Sequence, residues 1–280
     1  MSAIVILGAG EIGGALARQL AASDLVTRIV LVDDQSGAAA GKALDIAQAG
    51  PVDRYTTALS GTDDVSAVTG AAVAVIADRF GQAGEWRDEE GLALLKRVAG
   101  LNQVAFIVCA GTLQTSIIER GVAESSVPRR RLFGSAPEAL RSAVIIMAAL
   151  EAKAAPADVS LSVLGRPAHA IVPWDEGSIA GRSAPQVLSA AQLARLNARV
   201  ARLWPPGPTT LASAAARLIR SALTRSPRVH VALVALTREE GTAGRSAMLP
   251  VTLGPGGIAQ LVAPSLSSRD RVRLETALRA

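Results

Sequence analysis

Met1-Ser-Ala-Ile-Val-Ile-Leu-Gly-Ala-Gly-Glu-Ile-Gly-Gly14 is the stretch that decides how the rest of the chain is read. Ile4 to Leu7 form an apolar run of strand length. Gly8, Gly10 and Gly13 follow at G-x-G-x-x-G spacing, and Ile12, Leu16 and Leu20 then recur at helical period. Each glycine meets a separate demand of a strand–turn–helix that carries a pyrophosphate. Gly8 permits the tight bend, Gly10 allows close approach of the phosphates, and Gly13 lets the new helix pack on the sheet. The helix start offers free N–H groups and the positive end of its dipole. A second apolar run, residues 28–32, ends in Asp33, about twenty residues past the last glycine. There a carboxylate can accept hydrogen bonds from an adenosine ribose and would repel the 2′-phosphate of NADP. Strand, turn, helix and acid together predict an NAD site built from Gly8, Gly10, Glu11, Ile12, Gly13 and Asp33.

The chain has 280 residues, enough for one large or two modest domains. Half of them are hydrophobic but only 2% are aromatic, so the core has to be built from Ala, Val, Leu and Ile. No apolar run is long enough to span a bilayer, and the N-terminus lacks a basic region, apolar core and cleavage site in sequence. Cys109 is the only cysteine, which excludes internal disulfides and fits a reducing cytoplasm. Its place at the end of an apolar run assigns it to packing. A net charge of +5 raises the question of nucleic acid. The arginines are scattered, however, and few aromatics accompany them for base stacking. Arg129-Arg130-Arg131 is short and sits in a loop. The basic surface is therefore read as solvated, with neither nucleic acid nor membrane as a partner.

Along residues 1–136, short apolar runs alternate with helical stretches. Strands are expected over 55–59, 72–77, 104–109 and 131–134, and helices over 42–49, 92–98 and 114–120. Residues 35–41 read as a loop, and Gly50-Pro51 as a helix stop. Continuous apolar strands alternating with helices predict a doubly wound parallel sheet of Rossmann type. Residues 137–280 have another character, with helices over 137–153, 189–203, 211–223 and 268–279. Strands are expected at 159–163, 229–236, 249–253 and 258–262. This half reads as an α+β substrate domain, within an overall α/β fold.

Further motifs now fall into order: Leu-Val-Asp at 31–33, Gly-Lys-Ala-Leu-Asp at 41–45, Val-Leu-Gly at 163–165, Val-Pro at 172–173 and Leu-Pro-Val-Thr-Leu-Gly-Pro-Gly-Gly-Ile at 249–258. With the opening loop, they make a chain that resembles the malate and lactate dehydrogenase family along almost its entire length. The resemblance implies a two-domain, NAD-dependent protein that moves hydride between nicotinamide and a small 2-hydroxy or 2-oxo acid. It also implies a homodimer or tetramer paired through helices. Such a reaction uses a histidine acid/base oriented by an aspartate, an arginine fork for the substrate carboxylate, and a loop arginine that polarises the carbonyl.

The segment from Gln82 to Arg87 resembles the family's mobile loop with one residue deleted. Arg87 then takes the place of the polarising arginine, and Gln82 the substrate-selecting position, where glutamine goes with lactate-type acids. Elsewhere the pattern departs. Gly165-Arg166-Pro167-Ala168-His169 puts Pro167 where the family has its catalytic histidine and His169 where an aspartate follows. A two-residue shift along extended chain moves a side chain by roughly 7 Å. Arg141 takes the orienting aspartate's place, Val144 that of the carboxylate-binding arginine, and Ala110-Gly111 that of an Asn-Pro. Two functions stay open: a dehydrogenase with a rebuilt site using Arg87, Arg141 and His169, or a non-catalytic dinucleotide-binding homologue that serves as sensor or partner subunit.

Overall fold

A computed structural model describes residues 3–81, 84–125, 127–237 and 244–279. The opening run forms β1 (Ala3–Leu7), α1 (Glu11–Ala21) and β2 (Arg28–Val32). These join β3 (Ala58–Thr62), β4 (Val73–Ile76), β5 (Phe106–Cys109) and β6 (Leu132–Gly134) in one sheet of order β3-β2-β1-β4-β5-β6. Every pairing along that path is parallel. Residues 4–7 and all of β4 and β5 are buried, as the continuous apolar runs require of strands covered on both faces.

Helices supply the two covers. On one face, α1, α2 (Ser36–Asp53) and α8 (Pro208–Leu223) pack over Ile4, Ile6, Ile29 and Leu31. On the other, α3 (Asp88–Leu101), α4 (Thr115–Glu124) and much of α5 (Ala136–Ala152) close over Val5, Leu7, Val30 and Ile107. With so few aromatics, α8 buries mainly small side chains, Ala212, Ala214, Ala215 and Ala216 among them. The sheet does not stop at residue 136. β6 pairs antiparallel with β12 (His230–Ala235), and the order continues through β13 (Ser246–Gly254) to β8 (Leu164–Arg166) and β9 (His169–Ile171). β14 (Gly257–Leu261) pairs with β13, and a separate small sheet holds β7 (Val159–Ser160), β10 (Ser178–Ile179) and β11 (Arg182–Ser183).

Some expected boundaries move. α2 begins at Ser36 and runs through Pro51 to Asp53, instead of covering 42–49. Ala38, Ala39 and Ala40 are strong helix formers, and Pro51 falls in the last turn, where its missing N–H removes a single bond. The strand expected at 55–59 starts only at Ala58, because the buried Tyr55 hydroxyl donates to the Ile46 carbonyl and ties that segment to α2. Of residues 159–163, only Val159 and Ser160 pair as a strand. After the short α6 (Ala184–Val187), the helix α7 (Ala190–Val200) has the capping box expected of Ser189 and Gln192, and α9 (Ser268–Arg279) closes the described chain.

Candidate functional site

In an open parallel sheet the ligand crevice lies beyond the carboxyl ends of the strands where their order reverses, here between β1 and β4. Gly8 follows β1 with φ 120°, and a Cβ there would lie 2.3 Å from the Asp78 carbonyl oxygen. Only glycine fits that turn. A Cβ on Gly13 would meet the Gly8 carbonyl at 2.0 Å, so the start of α1 presses directly on the turn. Asp78 enters from the end of β4, and its carbonyl accepts the Gly10 N–H at 2.8 Å.

The carboxylate of Asp78 then fills the anion position of the loop. Oδ2 accepts the Ile12 N–H at 3.1 Å and Oδ1 the Gly13 N–H at 2.9 Å. A Cβ on Gly10 would stand 2.4 Å from Oδ2, so the close approach that this glycine permits is taken by Asp78 itself. Glu11 lies exposed in the same turn. Asp33 is 2% exposed; its Oδ2 accepts the Ala9 and Phe80 N–H groups at 2.8 and 2.9 Å, and its Oδ1 that of Gln35 at 3.1 Å. Lys42 donates to the Gly10 carbonyl at 3.1 Å. Alongside opens a cleft of about 420 Å³ lined in part by Asp33, Asp34, Asp63, Arg79, Trp86 and Arg97. The Arg79 guanidinium lies 4.5 Å from the Trp86 ring centre. Glu85 reaches the turn after β5, accepting from the N–H groups of Thr112 and Leu113 at 3.0 and 2.7 Å.

The glycine turn thus has the geometry of a dinucleotide loop, while Asp33 spends both carboxylate oxygens on backbone N–H groups. A carboxylate has two oxygens and both of those on Asp78 face the donors that a pyrophosphate uses.

The remaining sequence-derived positions are dispersed. Arg87 is the exposed residue preceding α3, and Gln82 lies outside the described residues. Pro167 and Ala168 form the two-residue turn between the paired residues Arg166 and His169, and His169 is exposed. Arg141 is committed within the protein: Nε donates to the Leu161 carbonyl at 2.6 Å, and a terminal nitrogen lies 3.0 Å from Glu138 Oε1. Val144 is fully buried in the second core. Among the described residues, no hydrogen bond or ion pair links Arg87, Arg141 and His169 to one another. Cys109 is buried, and both desolvation and the nearby Glu85 charge push its thiol up, as a packing role requires.

Sequence reasoning missed a second polar cluster. Glu138, on α5, is 4% exposed and accepts the Val231 N–H at 2.9 Å. Arg141 and Arg217 both approach it, at 3.0 and 3.4 Å. His230, 1% exposed, places Nδ1 3.5 Å from Glu138 Oε1, outside hydrogen-bond geometry, while its Nε2 meets Ser221 Oγ at 2.9 Å. Burial raises the Glu138 carboxyl, but His230, the Arg141 charge and the Val231 N–H outweigh it and hold the group below the ordinary glutamate value. Among the described residues, no group of three or more His, Cys, Asp or Glu is placed to hold a metal ion, and no helix is long and apolar enough to cross a membrane.

Residues 2–97 match the lactate/malate dehydrogenase NAD binding domain. A malate dehydrogenase from Trichormus variabilis is 28% identical over 98% of this chain and 90% of its own length. One from Thermomicrobium roseum is 26% identical over 99% and 95%. Among solved structures, malate dehydrogenase from Salinibacter ruber superposes with a TM-score of 0.87 at 20% identity, covering 98% of this chain and 93% of the other. Lactate dehydrogenase from Cryptosporidium parvum, solved with lactic acid and nicotinamide adenine dinucleotide, gives 0.87 at 20% identity, covering 99% and 95%. Residues 2–97 thus form a domain of the lactate/malate dehydrogenase NAD binding type, with NAD as its cofactor, and the chain as a whole is similar in sequence and fold to malate and lactate dehydrogenases.

Proposed function

We propose that this chain binds NAD(H) but has given up the family's standard hydride transfer to 2-oxo acids. What supports this reading is the state of three positions as the resemblance places them. Pro167 stands for the proton-transferring histidine, and proline has no ionisable group. Arg141 stands for its orienting aspartate and is spent on Leu161 and Glu138. Val144 stands for the carboxylate-binding arginine and is sealed in the core. Loss of a general base alone costs about a hundred- to ten-thousand-fold. A missing bidentate arginine removes charge-assisted hydrogen bonds of roughly 1.5 to 3 kcal/mol each. His169 and the exposed Arg87 supply neither an orienting acid nor a carboxylate fork.

Titration with NADH, followed in the same cuvette by pyruvate, oxaloacetate and larger 2-oxo acids, tests the proposal. Binding is expected to change NADH fluorescence, and no acid is expected to consume the cofactor above background. Steady NADH oxidation that disappears in Arg87→Ala would instead establish a rebuilt catalytic site. A dinucleotide-binding sensor or partner subunit working in the cytoplasm is the role this reading favours, supported by the single buried thiol.

A second copy of the chain is the proposed partner. α2 packs on α1, α1 on α8, and α8 on α5, and this helical layer leaves large apolar side chains bare. Leu44 and Val52 on α2 are 59% and 79% exposed, and Ile146 and Leu150 on α5 are 46% and 75% exposed. Sedimentation at micromolar concentration is expected to give a dimer or tetramer, reduced to monomer by Leu150→Glu. A monomeric wild type would end the proposal.

A further inference from the structure

We infer that Asp78 sets what the nucleotide cleft accepts, by holding its own carboxylate where the pyrophosphate would sit. The inference rests on the reading of this cleft as a dinucleotide site and adds the basis of its selectivity. Three observations carry it. The Asp78 carboxylate takes the Ile12 and Gly13 N–H groups, which are the donors at the start of α1. Its carboxylate fills the space that Gly10 leaves open. Asp78 is also held in place from both sides: its carbonyl accepts the Gly10 N–H, and the neighbouring Phe80 N–H is bonded to Asp33.

An acceptor tethered in position competes at high effective concentration with one arriving from solution. A phosphate placed beside it would also meet a like charge, with Lys42 as the cation bonded to the same turn. Phosphate-bearing ligands therefore bind only the conformer in which Asp78 has swung out. If that conformer is about 1–10% populated, their apparent affinity is reduced by about ten- to a hundredfold. The cleft beside Asp33 and Trp86 is separate from the α1 donors, so a ligand of the nucleoside class, without phosphates, escapes this competition.

The test compares wild type, Asp78→Ala and Asp78→Asn by calorimetry with NADH, ADP-ribose and adenosine, after circular dichroism and thermal melting establish that each variant is folded. Asp78→Ala is expected to bind NADH and ADP-ribose about ten- to a hundredfold more tightly than wild type, with adenosine unchanged. Asp78→Asn, which keeps an acceptor but no charge, is expected to fall between. If wild type binds NADH and Asp78→Ala binds it no better, or if adenosine tightens in parallel, Asp78 does not govern phosphate access while the dinucleotide reading stands. If neither protein binds NADH, both fall.

Discussion

Glu138→Ala is expected to lower the stability of the fold by about 3 kcal/mol or more, the largest loss anticipated from any single truncation in the chain. Removing one partner of a buried ion pair typically costs about 3–5 kcal/mol, because the remaining charge is left uncompensated. Here Arg141, whose side chain is 16% exposed, would lose its carboxylate, and the buried Val231 N–H its acceptor. The orphaned N–H alone is worth about 1–3 kcal/mol. The discount comes from Arg217, which is half-exposed and can turn to solvent. Urea unfolding should register the loss as a lower midpoint. Glu138→Gln, which keeps an oxygen for Val231, should lose less.

The same residue has a pH signature. Its carboxyl is held below the ordinary glutamate value in the folded protein, so folding favours the ionised form. That contribution is fully present above the ordinary value and is lost as the pH falls through the lowered folded one. The stability gap between wild type and Glu138→Gln should therefore be constant near neutrality and narrow in acid. A gap independent of pH down to the acid transition would contradict the assignment.

Val144→Arg, which in the proposed reading would put an arginine back at the carboxylate-binding position, is expected to abolish folding rather than restore activity. Val144 is fully buried among Leu140, Met147, Ala148 and their neighbours. A guanidinium there adds volume, at about 1–3 kcal/mol, and an unpaired buried charge, at several more. That sum approaches the whole stability of an ordinary domain, roughly 5–15 kcal/mol. Pro167→His is the milder partner experiment. The turn it occupies is partly exposed, so the variant should fold. In the proposed reading it should still leave pyruvate and oxaloacetate unreduced, because the Arg141 guanidinium is held by Leu161 and Glu138 and supplies no orienting acid. NADH absorbance followed with each acid checks both variants. Turnover by Pro167→His alone would mean that the proline was the only obstacle.

These contrasts follow from what a linear sequence can carry. The glycine turn, Asp33 and the parallel strands were legible because their signals are local: spacing, period and a run of apolar residues. The capping box at Ser189 and Gln192 was legible for the same reason. The Asp78 contact joins atoms 66 residues apart, and the Glu138–Val231 bond spans 93. Neither has a periodic trace. The available hint for Asp78 was its place just after the apolar run that pairs with the opening strand. α2 runs past its Gly-Pro pair, which near a helix end has the local look of a stop, and the Tyr55 hydroxyl ties the chain that follows back to Ile46.

The sheet that runs on from β6 into β12 bears on how the molecule can be divided. Leu233 pairs with Gly134 across that junction, and α8 lies against α1, the helix that begins at the nucleotide turn. A fragment ending at residue 136 would keep every glycine of the loop yet lose the cover of α1 and leave β6 as a bare, three-residue apolar edge. The larger hazard of the two is the apolar face of α1, laid bare to other chains. The nucleotide-binding half is therefore expected to aggregate when made alone, because a helix from the other half covers α1.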